Sequence, residues 1–295
     1  MAGPNASGVV IATVRVVSDS ACDLPAEIAD SLGVTIVPLS IRFGADEYVD
    51  RKDLSPQAFW RKVAAASVLP ETAAPSPGAF EAAFREAADD GCRGVVCICL
   101  SSKLSATIGA ARLAAQAVGD VIDVRVVDSL SITMGQGTMV TVAARLALTG
   151  ATLDEVERAA TQLVGRTTVL GALDTLDNLK KGGRIGGAQA LIGSLLQVKP
   201  IIDVSSGTVE SIGKQRTRTK ALAYLATLLA EAKAETGVEN VAVMHGDAPD
   251  IEEFLDLLAK HYPKDKIIVG QIGAVIGTHG GPRVVGLTFN QPVPD

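Results

Sequence analysis

The sequence predicts an α/β protein with two domains, and three observations support this fold class. The chain has 295 residues, which is long for a single hydrophobic core. Short runs rich in β-branched residues alternate with alanine-rich helical stretches, an order that gives parallel strands joined by crossover helices. Hydrophobic residues make up 47% of the chain and aromatic residues only 3%, as expected for aliphatic cores in covered sheets. Because the pattern changes after Gly150, we expect one domain over residues 1–165 and another over residues 166–295.

In the first half of the chain, hydrophobic runs and turn residues define the expected elements. Ser55 and Pro56 suit the N-cap and the first position of a helix. The segment 70–77 contains three prolines and is predicted as a loop, because proline fixes φ and lacks a backbone donor. The predicted strands are 14–17, 34–43, 94–100 and 121–127, and the predicted helices are 25–32, 54–66, 78–88, 106–118 and 137–148.

The second half is expected to form a further set of strands and helices. A loop-rich segment is predicted at 175–187, and an apolar helix is expected after it. The predicted helices are 153–164, 219–237 and 251–261, and the predicted strands are 168–172, 199–204, 208–212, 238–244, 267–272 and 283–288.

Composition argues against several classes of protein. The net charge of −6 is opposite in sign to what a nucleic-acid-binding surface needs. The first ten residues contain no Lys or Arg, and no segment approaches the roughly 18 uninterrupted apolar residues of a membrane span. We therefore predict no nucleic-acid partner, no integral membrane segment and a cytoplasmic location.

Cysteines and histidines give no sign of a metal site. Cys97 and Cys99 alternate along one apolar strand, which favours buried, reduced thiols, and the other two cysteines stand alone. The three histidines are scattered and lack partners at ligand spacing. The acidic residues at strand ends are Asp19, Asp23 and Asp128. None of them has a histidine base positioned beside it in the sequence, so we predict no catalytic residue.

The segment VVCICLSSKLSATIGAAR joins a buried strand to an alanine-rich helix through a serine-rich turn. In an open α/β sheet, ligands bind at the carboxyl ends of strands, where Ser101, Ser102 and Ser105 fall. Ser105 directly precedes the helix, so its hydroxyl and the free N–H groups of the helix start suit an anion. The alternative is that Ser105 only caps the helix, a role worth about 1 kcal/mol. The local residues leave both interpretations open.

Three more residues are candidates for ligand contact. Thr72 lies in the proline-rich segment, where it either donates to a ligand or hydrogen-bonds its own turn. Arg184 stands among four glycines in a segment that can cradle phosphate, although the segment does not match the P-loop pattern. This segment motivates an alternative function, a phosphotransferase built around Arg184. His279 lies between glycines in a predicted loop, either on the surface or facing a cleft between domains.

Several motifs, in order, resemble the DegV family over residues 14–289. They are VSDSACDLP, GVTIVPLSIRF, LSSKLSATIGAA, VVDSLSITMGQG, LDTLDNLKKGGRIGGAQALIGSLLQVKPII and GTHGGP. The resemblance implies a three-layer α/β/α N-terminal domain with a mainly parallel sheet, and a two-layer C-terminal domain with a mixed sheet. It also implies a long-chain fatty acid, such as palmitate, stearate or oleate, in a tunnel between the domains. The protein would be a carrier without its own catalysis that presents the carboxylate to a fatty acid kinase.

The same resemblance assigns roles to individual positions. It implies that Thr72, the backbone amide of Ala73 and Ser105 hold the carboxylate, with Ser102 a weaker candidate. Arg184 and His279 match basic positions near the head group or facing the kinase. Two departures stand out, since Ala73 and Ala74 replace the family's usual Ser-Gln after the threonine, and Ala106 replaces a glycine after Ser105. We therefore expect carboxylate binding to be kept and the geometry near the head group to differ.

Overall fold

The computed structural model describes residues 13–191 and 198–292. Within these ranges the chain forms three β-sheets and ten α-helices. The strands are β1 Val14–Asp19, β2 Thr35–Val37, β3 Ser40–Phe43, β4 Asp46–Val49, β5 Glu71–Ala73, β6 Gly94–Cys99, β7 Asp123–Asp128, β8 Thr167–Ala172, β9 Lys199–Asp203, β10 Glu210–Gln215, β11 Glu239–His245, β12 Ile268–Gln271 and β13 Val285–Asn290. The helices are α1 Ala26–Ser31, α2 Pro56–Ala65, α3 Pro77–Asp89, α4 Thr107–Ala117, α5 Thr133–Leu148, α6 Leu153–Leu163, α7 Asp177–Lys181, α8 Arg218–Glu235, α9 Ile251–Leu258 and α10 Ala274–Gly280.

The N-terminal part is built around a four-stranded parallel sheet in the order β2-β1-β6-β7. All six residues of β6 are buried, because helices cover both faces of the sheet. On one face Cys97 packs in a core with Phe80 of α3 and Ile108 of α4. On the other face Ile98 packs in a core with Val140 of α5. The expected three-layer arrangement with a parallel sheet is confirmed.

The C-terminal part contains a six-stranded mixed sheet in the order β10-β9-β8-β13-β11-β12. Only β11 and β12 pair in parallel, and the other neighbours are antiparallel. Helices α8 and α9 cover one face, where Leu225 and Phe254 pack in a core with Leu287 of β13. The opposite face belongs to the large core that also contains β1, β6 and α5. The two sheets therefore share one continuous hydrophobic core.

A small antiparallel sheet in the order β4-β3-β5 corrects two predictions. The predicted strand 34–43 is two strands in different sheets, separated at Pro38, and β4 was not predicted. The predicted loop 70–77 contains the edge strand β5. Pro70 and Pro75 flank this strand rather than lie in it, so its pairing with β3 needs no amide from proline.

Helix starts and short helices account for further differences. The loop-rich segment 175–187 contains α7, and residues Gly186–Leu191 form a 3-10 helix. The apolar helix expected after this segment falls largely on residues 192–197, outside the described ranges. Helix α5 begins at Thr133, four residues before the predicted start. Its Gly137 is needed for close packing, because a Cβ there would lie 2.7 Å from the carbonyl oxygen of Cys22.

Membrane-spanning helices and metal sites were predicted to be absent, and the described residues bear on both. Among the helices described, none combines the length and apolarity that crossing a membrane requires. Groups of three or more His, Cys, Asp or Glu side chains able to hold a metal ion do not occur in residues 13–191 and 198–292. All four cysteines are buried, as predicted.

Candidate ligand-binding site

A cavity lies between the carboxyl edge of the parallel sheet and the inner face of the mixed sheet. It offers about 820 Å³ of space between atoms, counting its opening to solvent. Most of its wall is aliphatic and is contributed by both parts of the chain. The apolar wall residues are Leu39, Leu100, Leu104, Ile132, Val169, Leu170, Gly171, Leu173, Leu179, Ile202, Val204, Val209, Ile272, Val275, Ile276, Gly280, Val284 and Gly286.

The topology explains why these residues meet. Leu39, Leu100 and Ile132 follow β2, β6 and β7, and the carboxyl ends of parallel strands share one edge of a sheet. Val169 projects from β8 toward the same core. The cavity therefore sits at the edge where α/β proteins commonly bind ligands, and the mixed sheet closes it from the opposite side.

Four polar side chains also border the cavity, namely Thr72, Ser105, Arg184 and His279. They come from β5, from the turn after β6, from the segment after α7 and from α10. All four were predicted as site residues. The structure therefore brings together residues that are far apart in the sequence, at a cavity whose other described wall residues are apolar except for the buried hydroxyl of Thr133.

Thr72 and His279 are in direct contact. The hydroxyl oxygen of Thr72 lies 3.2 Å from Nε2 of His279. Thr72 is held in place by β5, where it pairs opposite Ile41 of β3. His279 was expected in a loop, but it lies near the end of α10 and is largely buried. The hydroxyl and the imidazole thus form one polar surface at the cavity wall.

Burial determines the charge of His279. Loss of solvent and, as the smaller cause, the positive charge of Arg184 together lower the pKa of His279 from 6.5 to about 4. The imidazole is therefore neutral at pH 7. Its Nδ1 atom is buried and has no hydrogen-bond partner among the residues that the structure describes.

Ser105 combines both roles considered for it. Its hydroxyl lies 2.9 Å from Oγ1 of Thr107 and accepts the N–H of Thr107 at 3.3 Å, so it satisfies one amide of the first turn of α4, although the N-cap position itself is Ala106. The same hydroxyl borders the cavity. Because a hydroxyl oxygen has two lone pairs and one proton, capping leaves Ser105 able to donate to a ligand.

Arg184 joins the polar end of the cavity to the Ser105 turn. Its Nε donates to the carbonyl oxygen of Leu104 at 3.2 Å, and its Nη1 donates to that of Gly182 at 2.7 Å. The residue as a whole is exposed. Arg184 is therefore both a brace for the turn and a positive charge beside the cavity.

The other two predicted residues lie outside the cavity wall. Ala73 follows Thr72 in β5 opposite Ser40 and is exposed. Ser102 is exposed as well, and its N–H donates to Oδ1 of Asp128 at 3.1 Å. Neighbouring Ser101 is buried and donates to the carbonyl oxygen of Gly207 at 2.7 Å, which connects the serine turn to the C-terminal part.

Two residues that the sequence analysis missed position His279. Asn178 of α7 donates from Nδ2 to the carbonyl oxygen of Thr278 at 3.0 Å. Gly182 lies directly against the imidazole, because a Cβ there would collide with Nδ1 and lie 2.9 Å from Cε1. The glycine-rich run gave a partial signal, but no local pattern distinguishes Gly182 from its neighbours.

A buried acidic cluster supports the other end of α10. Oδ1 of Asp23 accepts the N–H of Gly273 at 2.9 Å and lies 3.5 Å from Nη2 of Arg51. Burial raises the pKa of Asp23 to about 7, although the charge of Arg51 opposes this shift. Burial likewise raises the pKa of Asp19 to about 6, and this side chain accepts the N–H groups of Ala21 and Leu100. These acids have structural partners rather than a place on the cavity wall.

A second, polar depression adjoins the polar end of the cavity at the protein surface. It shares Thr72, Arg184 and His279 with the cavity. Its remaining wall is mostly polar or backbone and comprises Leu69, Pro70, Glu71, Asn178, Lys181, Gly182 and Thr278. The polar side chains at the end of the cavity therefore face a depression that a second molecule can reach.

Fold and site together define an α/β ligand-binding protein whose apolar cavity ends at a cluster of hydroxyl, imidazole and guanidinium groups. A family model described as an uncharacterised protein of the DegV family matches residues 13–291. The chain belongs to the DegV family, and the predicted resemblance is confirmed.

Individual relatives match this chain over nearly their whole length. The DegV domain-containing protein SCO2569 of Streptomyces coelicolor is 37% identical over 279 residues, covering 94% of this chain and 98% of that protein. A DegV family protein of Thermus thermophilus, described as binding fatty acid, superposes with a TM-score of 0.85 at 34% identity and covers 95% and 99% of the two chains. A stearic-acid-binding protein of Eubacterium ventriosum gives a TM-score of 0.83 at 28% identity and covers 94% and 98%. These superpositions confirm the predicted fold class.

Proposed function

We propose that this chain binds one long-chain fatty acid, such as palmitate, stearate or oleate, in the cavity between its two sheets. The observation that carries the proposal is a largely aliphatic cavity that is bordered by the polar groups of Thr72, Ser105, His279 and Arg184. A fatty acid has the same two parts, an alkyl chain and one anionic group. The fatty acid binding described for the Thermus thermophilus and Eubacterium ventriosum proteins supports the proposal.

The aliphatic wall supplies the free energy of binding. Each buried CH₂ contributes about 0.8 kcal/mol, so a chain of sixteen carbons gains on the order of 10 kcal/mol before the entropy cost of association. The proposed enclosure lies between an N-terminal domain, residues 1–165, and a C-terminal domain, residues 166–295. In support of this division, α6 ends at Leu163 against the parallel sheet and β8 opens the mixed sheet at Thr167.

The polar end of the cavity offsets the free-energy cost of burying the carboxylate. A carboxylate removed from water must be hydrogen-bonded, and the hydroxyls of Thr72 and Ser105 are donors at the cavity wall. The neutral His279 is a third group that can donate, and Arg184 contributes a positive charge. The backbone amide of Ala73 and the hydroxyl of Ser102 belong to the same proposal as secondary candidates.

Identification of the bound molecule tests this proposal directly. The purified protein is denatured, its extract is analysed by mass spectrometry, and the delipidated protein is then titrated with palmitate. We expect a fatty acid in stoichiometric amount, or saturable loading of one palmitate per chain. A protein that carries no fatty acid and takes up none would contradict the proposal.

We further propose that the protein presents the carboxylate to a fatty acid kinase, which forms an acyl phosphate, and has no catalysis of its own. The polar depression supports this role, because it gives a second protein a route to the polar end of the cavity. A partner that uses ATP also makes the cytoplasm the expected location. The reaction of loaded protein, kinase and ATP should yield acyl phosphate only when all three are present.

A matched pair of lysine variants tests the docking surface. Lys181 borders the depression, whereas its exposed neighbour Lys180 does not. We expect Lys181→Glu to slow acyl phosphate formation while fatty acid loading is kept, and Lys180→Glu to change neither. Equal rates for the two variants would argue against kinase docking at this depression.

The alternative of a phosphotransferase gains no support from the glycine-rich segment. Gly187 lies against the carboxylate of Glu210, with which a Cβ at this position would collide. The N–H of Gly187 donates to the carbonyl oxygen of Val209 at 2.9 Å. An anionic phosphate at this backbone would meet a carboxylate and one amide that is already bonded.

A further inference from the structure

Two glycines face each other across neighbouring strands of the mixed sheet. Gly171 of β8 and Gly286 of β13 are direct register partners, and both border the cavity. The same transverse row continues with Ile202 of β9, opposite Gly171, and with Met244 of β11, opposite Gly286. The cavity-facing surface of the sheet therefore lacks two adjacent side chains.

The large side chains of this row leave Gly286 uncovered. Ile202 leans over Gly171, since a Cβ at Gly171 would lie 3.0 Å from Cγ1 of Ile202. Met244 leans the other way, over Gly270, where a Cβ would lie 2.9 Å from its Cε. A Cβ at Gly286 would have no described atom nearer than 3.6 Å, although this residue is buried.

Backbone geometry does not explain a glycine at position 286. Its φ is outside the left-handed region, and β13 is an interior strand between β8 and β11. Glycine weakens a strand interior and is typical of places where another group approaches the backbone closely. The missing side chain is therefore best explained by what occupies the cavity.

We propose that Gly286 sets the length of the acyl chain that the cavity accepts, an inference that rests on the proposed fatty acid binding. Methylenes of the acyl chain pack against the backbone of Gly286, in the space that a side chain would fill. Because protein interiors are close-packed, each methyl group added at this position displaces about one methylene of the ligand. Ile202 is the adjacent residue that limits the same space.

The experiment measures the affinity of delipidated protein for each saturated fatty acid of ten to twenty carbons. For Gly286→Ala we expect the preferred length to shorten by about one carbon, and for Gly286→Val by about three. Gly286→Val should lose roughly tenfold in affinity for stearate and less than about twofold for laurate. Ile202→Val should shift the preference the other way, by about one carbon.

Gly213→Ala is the matched control for the glycine change. Gly213 lies in β10 of the same sheet away from the cavity, and its nearest neighbour to an added Cβ is 3.5 Å away, in Tyr224. This variant should keep the wild-type length profile. Two results would overturn the assignment of length selection to Gly286. In one, the Gly286 variants keep the wild-type length profile; in the other, their affinity falls by the same factor for every chain length. Wild-type protein that binds no fatty acid would instead overturn the proposed function itself.

Discussion

The hydroxyl oxygen of Thr72 lies 3.2 Å from Nε2 of His279, although 207 positions separate the two residues. Thr72 belongs to an edge strand of the small antiparallel sheet, and His279 belongs to a helix of the C-terminal part. With Ser105 and Arg184, these residues bring four separate segments to one end of an aliphatic cavity. The polar end is thus a product of the whole fold, and its parts can be tested one at a time.

The first prediction concerns the two hydroxyls. The double variant Thr72→Val with Ser105→Ala removes both donors while it keeps the approximate shapes of the side chains. Hydrogen bonds to a charged group contribute about 1.5–3 kcal/mol each, so we expect the affinity for palmitate to fall about a hundredfold or more. Calorimetric titration of delipidated protein gives the measurement.

Hexadecanol is the ligand control for this variant, because it has the same chain and no charge. Its affinity should change much less than that of palmitate. Ser102→Ala tests the secondary candidate; because Ser102 is exposed and outside the cavity wall, its effect should be much smaller than that of the double variant. Equal losses for palmitate and hexadecanol would show that the two hydroxyls do not hold the carboxylate.

The second prediction concerns the protonation of His279. Burial and the positive charge of Arg184 lower the pKa of His279 to about 4. A carboxylate bound beside the imidazole favours its charged form, so the pKa should rise when palmitate is loaded. The chain has only three histidines, so NMR titration of their Cε1–H signals can resolve this shift.

His245 and His261 provide internal references in the same spectra, and hexadecanol provides a ligand that fills the cavity without a negative charge. We expect the pKa of His279 to rise with palmitate and to stay low with hexadecanol. If His279 titrates identically in the empty and the palmitate-loaded protein, the carboxylate does not lie beside it.

Much of the fold was predictable because local patterns and burial agree. The six residues of β6 are almost entirely apolar, and the strand is buried on both faces as predicted. Ser55 caps α2 as predicted, accepting the N–H of Ala58 at 3.2 Å. Such elements depend on neighbours in sequence, which the pattern of residues records directly.

Elements that depend on close packing between segments distant in the sequence were not predictable in the same way. The glycines around His279 suggested a loop, but they belong to or flank α10. A Cβ at Gly277 would lie 2.7 Å from Cε1 of Phe59, so glycine is required there by tight helix packing. The partnership of Thr72 with His279 depends equally on the tertiary fold, and only the family resemblance pointed to both residues.

The third prediction concerns the acidic cluster at the N-terminal end of α10. The pKa of Asp23 is raised from 3.8 to about 7, because burial disfavours its charged form. The stabilising contribution of a raised carboxyl is complete below its unfolded pKa and is lost as pH rises through its folded pKa. The ionisation of Asp23 should therefore lower the free energy of unfolding progressively as the pH rises from about 4 to 7.

Asp23→Asn removes this titration while it keeps an acceptor for the N–H of Gly273. Relative to wild type, the variant should gain on the order of 2–4 kcal/mol in unfolding free energy between pH 4 and pH 7.5. Urea unfolding at several pH values measures the difference. His279 titrates with the opposite sign below about pH 6.5 in both proteins, so it cancels in this comparison. Parallel pH profiles for the two proteins would contradict the raised pKa.

The last prediction concerns Gly182, the residue that lies against the imidazole of His279. Its φ of −74° is compatible with alanine, so Gly182→Ala introduces no backbone strain of its own. The added Cβ would collide with the imidazole, so the ring must leave its present position beside Thr72. We expect palmitate affinity to fall about tenfold, roughly the energy of one hydrogen bond to a charged group, and hexadecanol affinity to stay close to wild type.

Gly109→Ala is the matched control, since Gly109 lies in α4 and no described atom outside its own helix backbone comes within 4 Å of an added Cβ. This change should leave both affinities unaltered and raise the unfolding free energy by at most about 1 kcal/mol. Loss of palmitate and hexadecanol binding together in Gly182→Ala would indicate a collapsed cavity rather than a displaced imidazole. A selective loss for palmitate, together with a changed NMR signal of His279, would show that Gly182 acts by holding the imidazole against Thr72.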